Sequence, residues 1–281
     1  MVSRHEGAAT KRSELDPAVE DTVDIDDSSV SQDRQFVTAL ARGLDVLSCF
    51  KRGENSLSNS EIAARCNLAR PTVSRLTYTL TKIGYLSQVP ETGGYRHGIA
   101  LIALGASALA SLDIPQVVRP SMLELALFSN ASVALGVRDR LSMRYIECCK
   151  SKSPIALTLD VGSRISMARS AMGRAYLAVC DRQERDSILQ DLRSVDEKVW
   201  PALREGIDRA LEEYSRYGCA TSFGDWEPNV SGIAVGLRPG RGLSPMSINC
   251  GGPSVILTRD YLMQEVRPRL ISLASGLEKL L

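Results

Sequence analysis

Five side chains within nine residues carry the chemistry most readily assigned in this sequence: Arg70, Thr72, Ser74, Arg75 and Tyr78. Guanidinium groups pair bidentately with guanine edges or phosphates, and hydroxyls bond bases or backbone oxygens, so the set suits a nucleic-acid groove. Ser60, ten residues before them, is grouped with the set. Arg96, further on, is placed to reach backbone phosphate. Catalytic chemistry, by contrast, does not assemble. The two histidines are His5 and His97, so residues 98–281 offer no imidazole base for a serine or cysteine nucleophile. No GxGxxG, Walker, HExxH or CxxC pattern is present, and the glycine-rich run GLRPGRG (236–242) lies between strand-like segments and reads as a turn. No enzyme, cofactor or metal site is expected.

The elements that would position the polar set can be read from spacing. Ser58 followed by Glu61 forms a capping box, which starts a helix near Asn59 with Ile62, Ala63 and Cys66 on one face. Asn67 tolerates the left-handed turn that ends it. Pro71 suits the first position of a second helix, with Val73, Leu76, Leu80 and Ile83 inward and Gly84 as the stop. Its opposite face carries the five polar side chains, where a recognition helix meets major-groove base edges, although a polar-faced helical hairpin has the same pattern. Upstream, Phe36, Leu40, Leu44 and Leu47 recur every three or four residues and predict a helix packed behind the pair. Downstream, Tyr85–Ser87, the turn-forming PETGG (90–94) and Tyr95–Arg96 predict a two-stranded wing from which Arg96 and His97 reach phosphate.

Charge agrees with this placement. Residues 1–33 hold three basic and nine acidic residues, a net charge of −6, and are too poor in apolar side chains to order themselves. Residues 34–98 hold nine basic and four acidic residues, a net charge of +5, on the segment that would meet phosphates. A solvated basic surface would look similar. The apolar uncharged run Gly98–Leu112 is 15 residues, short for a bilayer crossing, and reads as a buried or dimer-forming helix. The first residues lack the apolar core of a signal peptide, so the cytoplasm is the expected location. The seven cysteines are expected as reduced thiols; the vicinal Cys148 and Cys149 are read as buried strand residues or as a redox pair.

The layout is therefore a tail (1–33), a winged helix-turn-helix domain (34–98), a linker helix and hinge (99–119) and a second domain (120–281). Two prolines between Asp113 and Pro120 are expected to break the helical pattern there. In the second domain, Ser121–Phe128 reads as a helix, and Ala131–Val137 with Leu141–Glu147 as a hairpin turned at Arg138–Arg140. Gly173–Gln190 and Val199–Tyr217 read as amphipathic helices. Val230–Leu237 and Met246–Cys250 read as strands, and Arg259–Leu281 as a helical segment perturbed at Pro268.

From Phe36 onward the chain resembles the IclR family of bacterial transcription regulators. The carriers are FVTALARGLDVLSCF (36–50), the run from SEIAARCNLARPTVSRL to Leu86, GGYRHGIALIALGASALAS (93–111), SMARSAMGRAYLAV (166–179), SGIAVGLR (231–238) and SINCGGPS (247–254). The opening and the SAMGR segment look most like the branch controlling aromatic acid breakdown by the protocatechuate and β-ketoadipate routes. The resemblance implies an α/β multidomain protein: an N-terminal winged helix-turn-helix, a linker helix that pairs subunits, and a C-terminal GAF-like α/β effector-binding domain. Its implied partners are a double-stranded operator, a small organic acid and further copies of the chain as dimer or tetramer. RNA polymerase could be engaged; a membrane is not expected. Matched by motif, the implied effector residues are Ala171, Met172, Ser222, Gly232, Asn249 and Gly251, with Ser170 and Arg174 added as neighbours. The chain departs from the family at Ser222, where an acid is frequent, at Gly236, where proline is frequent, and at Ser166–Met167, where a proline is common. Ser170, Ser222 and Asn249 can donate to a carboxylate; Arg169 or Arg174 can pair with it bidentately or serve in a surface salt bridge. An architectural DNA-binding protein or constitutive repressor without an effector is the other reading.

Overall fold

The computed structural model describes residues 35–51, 53–110, 114–151, 157–240 and 242–281. The acidic segment 1–33, expected to be disordered, lies outside them. The described residues divide into two units between Gln116 and Val117.

The first unit holds α1 (Thr38–Ser48), α2 (Asn59–Arg65), α3 (Arg70–Lys82), β1 (Leu86–Gln88), β2 (Tyr95–His97) and α4 (Ile99–Ala110). The capping box starts α2: the Ser58 hydroxyl oxygen accepts from the Glu61 N–H at 3.3 Å while the Glu61 carboxylate accepts from the Ser58 N–H at 2.8 Å. Asn67, at φ +50°, makes the turn into α3. Val46, Leu47, Leu57, Ile62, Ala63, Val73, Leu80 and Leu86 form the core. Two apolar repeats are not spent on it. Ile83, expected inward, is 57% exposed, because α3 ends at Lys82 and Leu86 of β1 fills that space. Thr77 is buried instead, its hydroxyl donating to the Val73 carbonyl at 2.9 Å. On α1, Leu47 and its neighbour Val46 are buried, whereas Leu40 and Leu44, and Phe36 just before the helix, face outward. The wing pairs Leu86 with His97 and Gln88 with Tyr95, and Leu57 bridges to Tyr95 beside it.

The second unit begins within α5 (Ile114–Ser129), which the two prolines do not interrupt. Pro115 occupies the first turn, where no intrahelical N–H is required, and Pro120 sits inside the helix at the cost of one bond. There follow β3 (Ser132–Asp139), β4 (Ser142–Lys150), β5 (Arg164–Ser166), α6 (Ala171–Val179), α7 (Arg182–Val195), α8 (Trp200–Tyr217), β6 (Ala220–Phe223), β7 (Val230–Leu237) and β8 (Met246–Pro253). A short turn, α9 (Arg259–Tyr261), continues through a π-helical turn (Leu262–Val266) into α10 (Arg267–Leu280), with Pro268 in the first turn of α10. The strands form one antiparallel sheet in the order β5-β4-β3-β8-β7-β6. The helix expected over Gly173–Gln190 is two helices. Asp181 breaks it by accepting from the Glu184 N–H at 2.7 Å, which caps α7.

Helices α6 and α8 pack against one another, and α6 lies along β7, while α10 also packs on β7. The approach of α6 to the sheet depends on Gly236, where a Cβ would stand 2.4 Å from Val179 and 2.7 Å from the Ala175 carbonyl. This close contact accounts for glycine at the position. Between Leu135 and Gly136 the β3–β4 register shifts, leaving Ile146 as a bulge. Tyr145 before it and Cys148 after it both reach the α6-side core, whereas Glu147 and Cys149 face α5. The vicinal cysteines thus point to opposite faces, and burial pushes both thiols up, Cys148 to about 11. No helix among the described residues is long and apolar enough to cross a membrane.

Candidate functional site

On the first unit, Ser60, Arg70, Ser74, Arg75 and Tyr78 are exposed and Thr72 is half-buried, so α3 turns its polar face outward as expected. The two helices are keyed by Asn59. Its side-chain nitrogen donates to the Ser74 hydroxyl at 3.3 Å, and its oxygen lies 3.1 Å from the Thr77 hydroxyl, whose one proton it shares with the Val73 carbonyl. Ser74 therefore helps set the helix pair as well as facing outward. Among the described residues, Arg70, Arg75 and Arg96 have no carboxylate within ion-pair distance. Their charge is available to phosphate or base edges. The wing splits its expected pair: Arg96 is exposed, but one ring nitrogen of His97 is bonded to the Leu47 carbonyl at 2.9 Å and its ring lies against Phe50. His97 is a brace between wing and α1.

A second brace holds α2. The Arg65 guanidinium binds both Glu54 carboxylate oxygens at 2.7 Å and the Cys49 carbonyl at 3.0 Å. The Arg65 hydrogen bonds hold the Glu54 carboxyl down from its ordinary 4.5 to about 2. A carboxylate with a lowered folded-state pKa stabilises the fold above its unfolded value, and that contribution disappears as pH falls toward 2. Acid titration of thermal unfolding is expected to show a loss of about 1–2 kcal/mol over this range, allowing for solvent screening. In Glu54→Gln that component is expected to vanish; an identical pH slope in the variant would contradict the assignment.

On the second unit, six of the eight implied effector residues line one cavity: Ser170, Ala171, Ser222, Gly232, Asn249 and Gly251. Spacing alone could not have found their companions Tyr145, Leu157, Ile165, Trp226, Val230 and Ser231. Trp226, an isolated aromatic in the polar loop GDWEPN (224–229), was the one readable signal among them. Ser222 and Gly232 meet here because they are direct partners in the β6–β7 register, and Gly232 pairs in turn with Gly251 of β8. Met172 and Arg174 do not belong to this lining. Met172 is fully buried and turns its sulfur toward Gly136, since successive residues at a helix start point in different directions. Arg174 is 4% exposed and held in place by three hydrogen bonds: Nε donates to the Ala168 carbonyl at 3.0 Å, and Nη1 donates to the Thr221 carbonyl at 3.1 Å and to Asp225 at 2.6 Å. It is neither a surface salt bridge nor a cation of this cavity.

The serines are also less free than expected. Ser170 donates to the Ser166 carbonyl at 2.6 Å and caps α6 by accepting from Gly173 N–H, while Ser222 donates to the Arg169 carbonyl at 3.0 Å. Their hydroxyl protons are committed, leaving lone pairs only. Two other groups remain. The N–H groups of Ala171 and Met172, at the positive end of α6, have no acceptor among the described residues. One end of the Asn249 amide is held 3.3 Å from the Tyr145 hydroxyl, and the other is buried with no partner among the described residues. Rotating the amide exchanges its ends and still leaves one unpaired. Burial pushes the Tyr145 hydroxyl up, so it stays protonated.

A winged helix-turn-helix with uncommitted cations on its recognition helix, followed by an α/β unit enclosing a partly unsatisfied cavity, defines a DNA-binding transcription regulator. Residues 39–90 match the IclR helix-turn-helix domain and residues 106–278 match the bacterial transcriptional regulator IclR C-terminal domain. The chain belongs to the IclR family, whose members are regulators and not enzymes. It is 32% identical over 245 residues to the HTH-type transcriptional regulator TsaQ1/TsaQ2 of Comamonas testosteroni, covering 86% of this chain and 88% of that one. An IclR family regulator from Brucella abortus of known crystal structure is 42% identical, with a TM-score of 0.80 over 89% of this chain and 94% of that chain. An IclR homologue from Microbacterium hydrocarbonoxydans, solved in complex with 4-hydroxybenzoate, shares the fold at 22% identity, with a TM-score of 0.68 over 86% of this chain and 98% of that chain.

Proposed function

We propose that the chain binds a pseudo-palindromic operator as a dimer or tetramer, and that a small organic acid of aromatic class, entering the cavity between α6, β6 and β8, changes its affinity for DNA and so controls a catabolic operon. The unpartnered end of Asn249 carries this reading, because a buried amide group without a partner costs free energy that a ligand can recover. The uncapped N–H groups of Ala171 and Met172 are suited to the acid's carboxylate. The homologue bound to 4-hydroxybenzoate supports the ligand class. The space is about 30 Å³, too small for an aromatic acid, so an acid enters only as lining side chains move outward. That requirement is the switch: the ligand favours the opened form, and it alters DNA affinity only as far as the DNA-competent dimer disfavours or favours that form.

Self-association is supported by the outward apolar side chains of α4, with Ile99 77% and Ile102 66% exposed, and by Leu40 and Leu44 of α1. A two-fold dimer would set two recognition helices on successive major grooves. RNA polymerase would then be the partner through which bound protein raises or lowers transcription.

Thermal unfolding of the full chain with benzoate and the hydroxybenzoates tests the effector site. At about 100 times its Kd an acid contributes about 2.7 kcal/mol, which raises Tm by about 5–10 °C for a unit of this size. Asn249→Leu is expected to abolish the shift. If none of these acids raises Tm, or the variant responds as the parent does, the cavity is not the aromatic-acid site.

A further inference from the structure

On the other side of β6 lies a larger cavity that the effector site does not use. Strand alternation sends Ser222 to the first cavity and its neighbours Thr221 and Phe223 to this one. Its lining is completed by Arg174, Arg209, Ala210, Glu213, Asp225 and Arg259, around a volume of about 310 Å³.

The charges in it are unequally committed. Arg174 lines this cavity and is fixed through Nε and Nη1 to Ala168, Thr221 and Asp225, with its one carboxylate partner already taken; Gly206 of α8 leaves room for its guanidinium, 2.7 Å from where a Cβ would stand. Asp225 binds Arg174 at 2.6 Å and Glu213 accepts from the Thr221 hydroxyl at 2.7 Å. Each carboxylate still has acceptor capacity facing the space. Two cations are less occupied. Arg209 approaches Asp225 only at 3.8 Å, and Arg259 has no carboxylate within ion-pair distance among the described residues; its guanidinium lies 4.2 Å from the Phe223 ring centroid. Three arginines against two carboxylates leave one positive charge uncompensated.

We infer that this cavity is a second small-molecule site, built for a hydroxylated aliphatic carboxylate: Arg259 and Arg209 take the acid group, and Glu213 and Asp225 accept from its hydroxyls. The single surplus charge matches a monoanion. The mixture of cations and acceptors selects hydroxyl-bearing acids over bare anions, and the ring of Phe223 holds Arg259 flat for a planar carboxylate. The shared strand β6 and the Thr221–Ser222–Phe223 alternation place this ligand against the wall of the effector cavity, so occupancy of one site bears on the shape of the other.

Titration calorimetry of the full chain with gluconate tests the site, with acetate and inorganic phosphate as parallel titrants. Saturable binding of one gluconate per chain is expected, weakened at least tenfold in Arg259→Gln and in Arg209→Gln, both exposed positions, and unchanged in Asn249→Leu. Acetate and phosphate are expected to bind at least tenfold more weakly. The inference is overturned if gluconate shows no saturable binding, if Asn249→Leu abolishes binding while Arg259→Gln does not, or if phosphate or acetate binds as tightly as gluconate. The Asn249→Leu arm separates failure here from failure of the aromatic-acid reading.

Discussion

Arg75→Ala is expected to weaken operator binding by about 10- to 100-fold, the loss of one bidentate base or phosphate contact worth about 1–3 kcal/mol. The side chain is exposed on the outer face of α3, has no carboxylate partner among the described residues, and stands on a helix locked to α2 through Asn59, Ser74 and Thr77. Little else should change. Removing an exposed, unpaired arginine leaves folding stability within about 0.5 kcal/mol, so thermal melts of variant and parent should coincide. Fluorescence anisotropy on operator and scrambled duplexes across a salt series separates the two kinds of contact. A phosphate contact lowers affinity for both duplexes and reduces the salt slope by about one, whereas a base contact narrows the gap between them. Unchanged affinity on both duplexes would remove Arg75 from the interface.

Arg174→Ala should act in the opposite way, on stability first. Deleting a guanidinium that satisfies two carbonyls and one carboxylate leaves Asp225 only the more distant Arg209 and strands the Ala168 and Thr221 oxygens, at a cost of about 3–5 kcal/mol. Melting of the second unit is expected to fall by about 10 °C or more, measured by calorimetry. Arg174→Lys should recover little, because an ammonium cannot span three acceptors that lie around a planar fork. A loss under 1 kcal/mol in the alanine variant would mean that water replaces the guanidinium and that this side of the larger cavity is not rigid.

What was legible in the sequence depended on how local its cause is. The capping box at Ser58–Glu61, the left-handed Asn67 and Pro71 at the start of α3 act within one turn of chain, and each was readable and stands in the structure. Apolar periodicity located α1 but not its buried side, because Phe36, Leu40 and Leu44 repeat correctly for a helix yet face away from the core of their own unit. Strands of three and four residues, β5 and β6, have too little alternation to be recognised, and the bulge at Ile146 changes the facing of Cys148 and Glu147 in a way no period-two pattern reports. The α6 break was available in Asp181 and Glu184, spaced as a cap, but lay hidden within a continuous amphipathic pattern.

The candidate site divides along the same line. Family motifs named Ser170, Ala171, Ser222, Gly232, Asn249 and Gly251; strand register joins the last four across three strands, and the start of α6 brings Ser170 and Ala171 to them. The bonding state of those groups could not be read. That the Ser170 and Ser222 protons are already spent on backbone carbonyls, and that Arg174 is bound to Asp225, follows from contacts between residues up to 53 positions apart.

A gel shift on the promoter beside the protein's own gene, run with and without benzoate and the hydroxybenzoates, addresses the whole account in one measurement. A discrete complex that requires Arg75, and whose midpoint moves about 5- to 150-fold with at least one acid in the parent but not in Asn249→Leu, is the predicted result. A complex that forms equally on any duplex and is indifferent to every acid would contradict it.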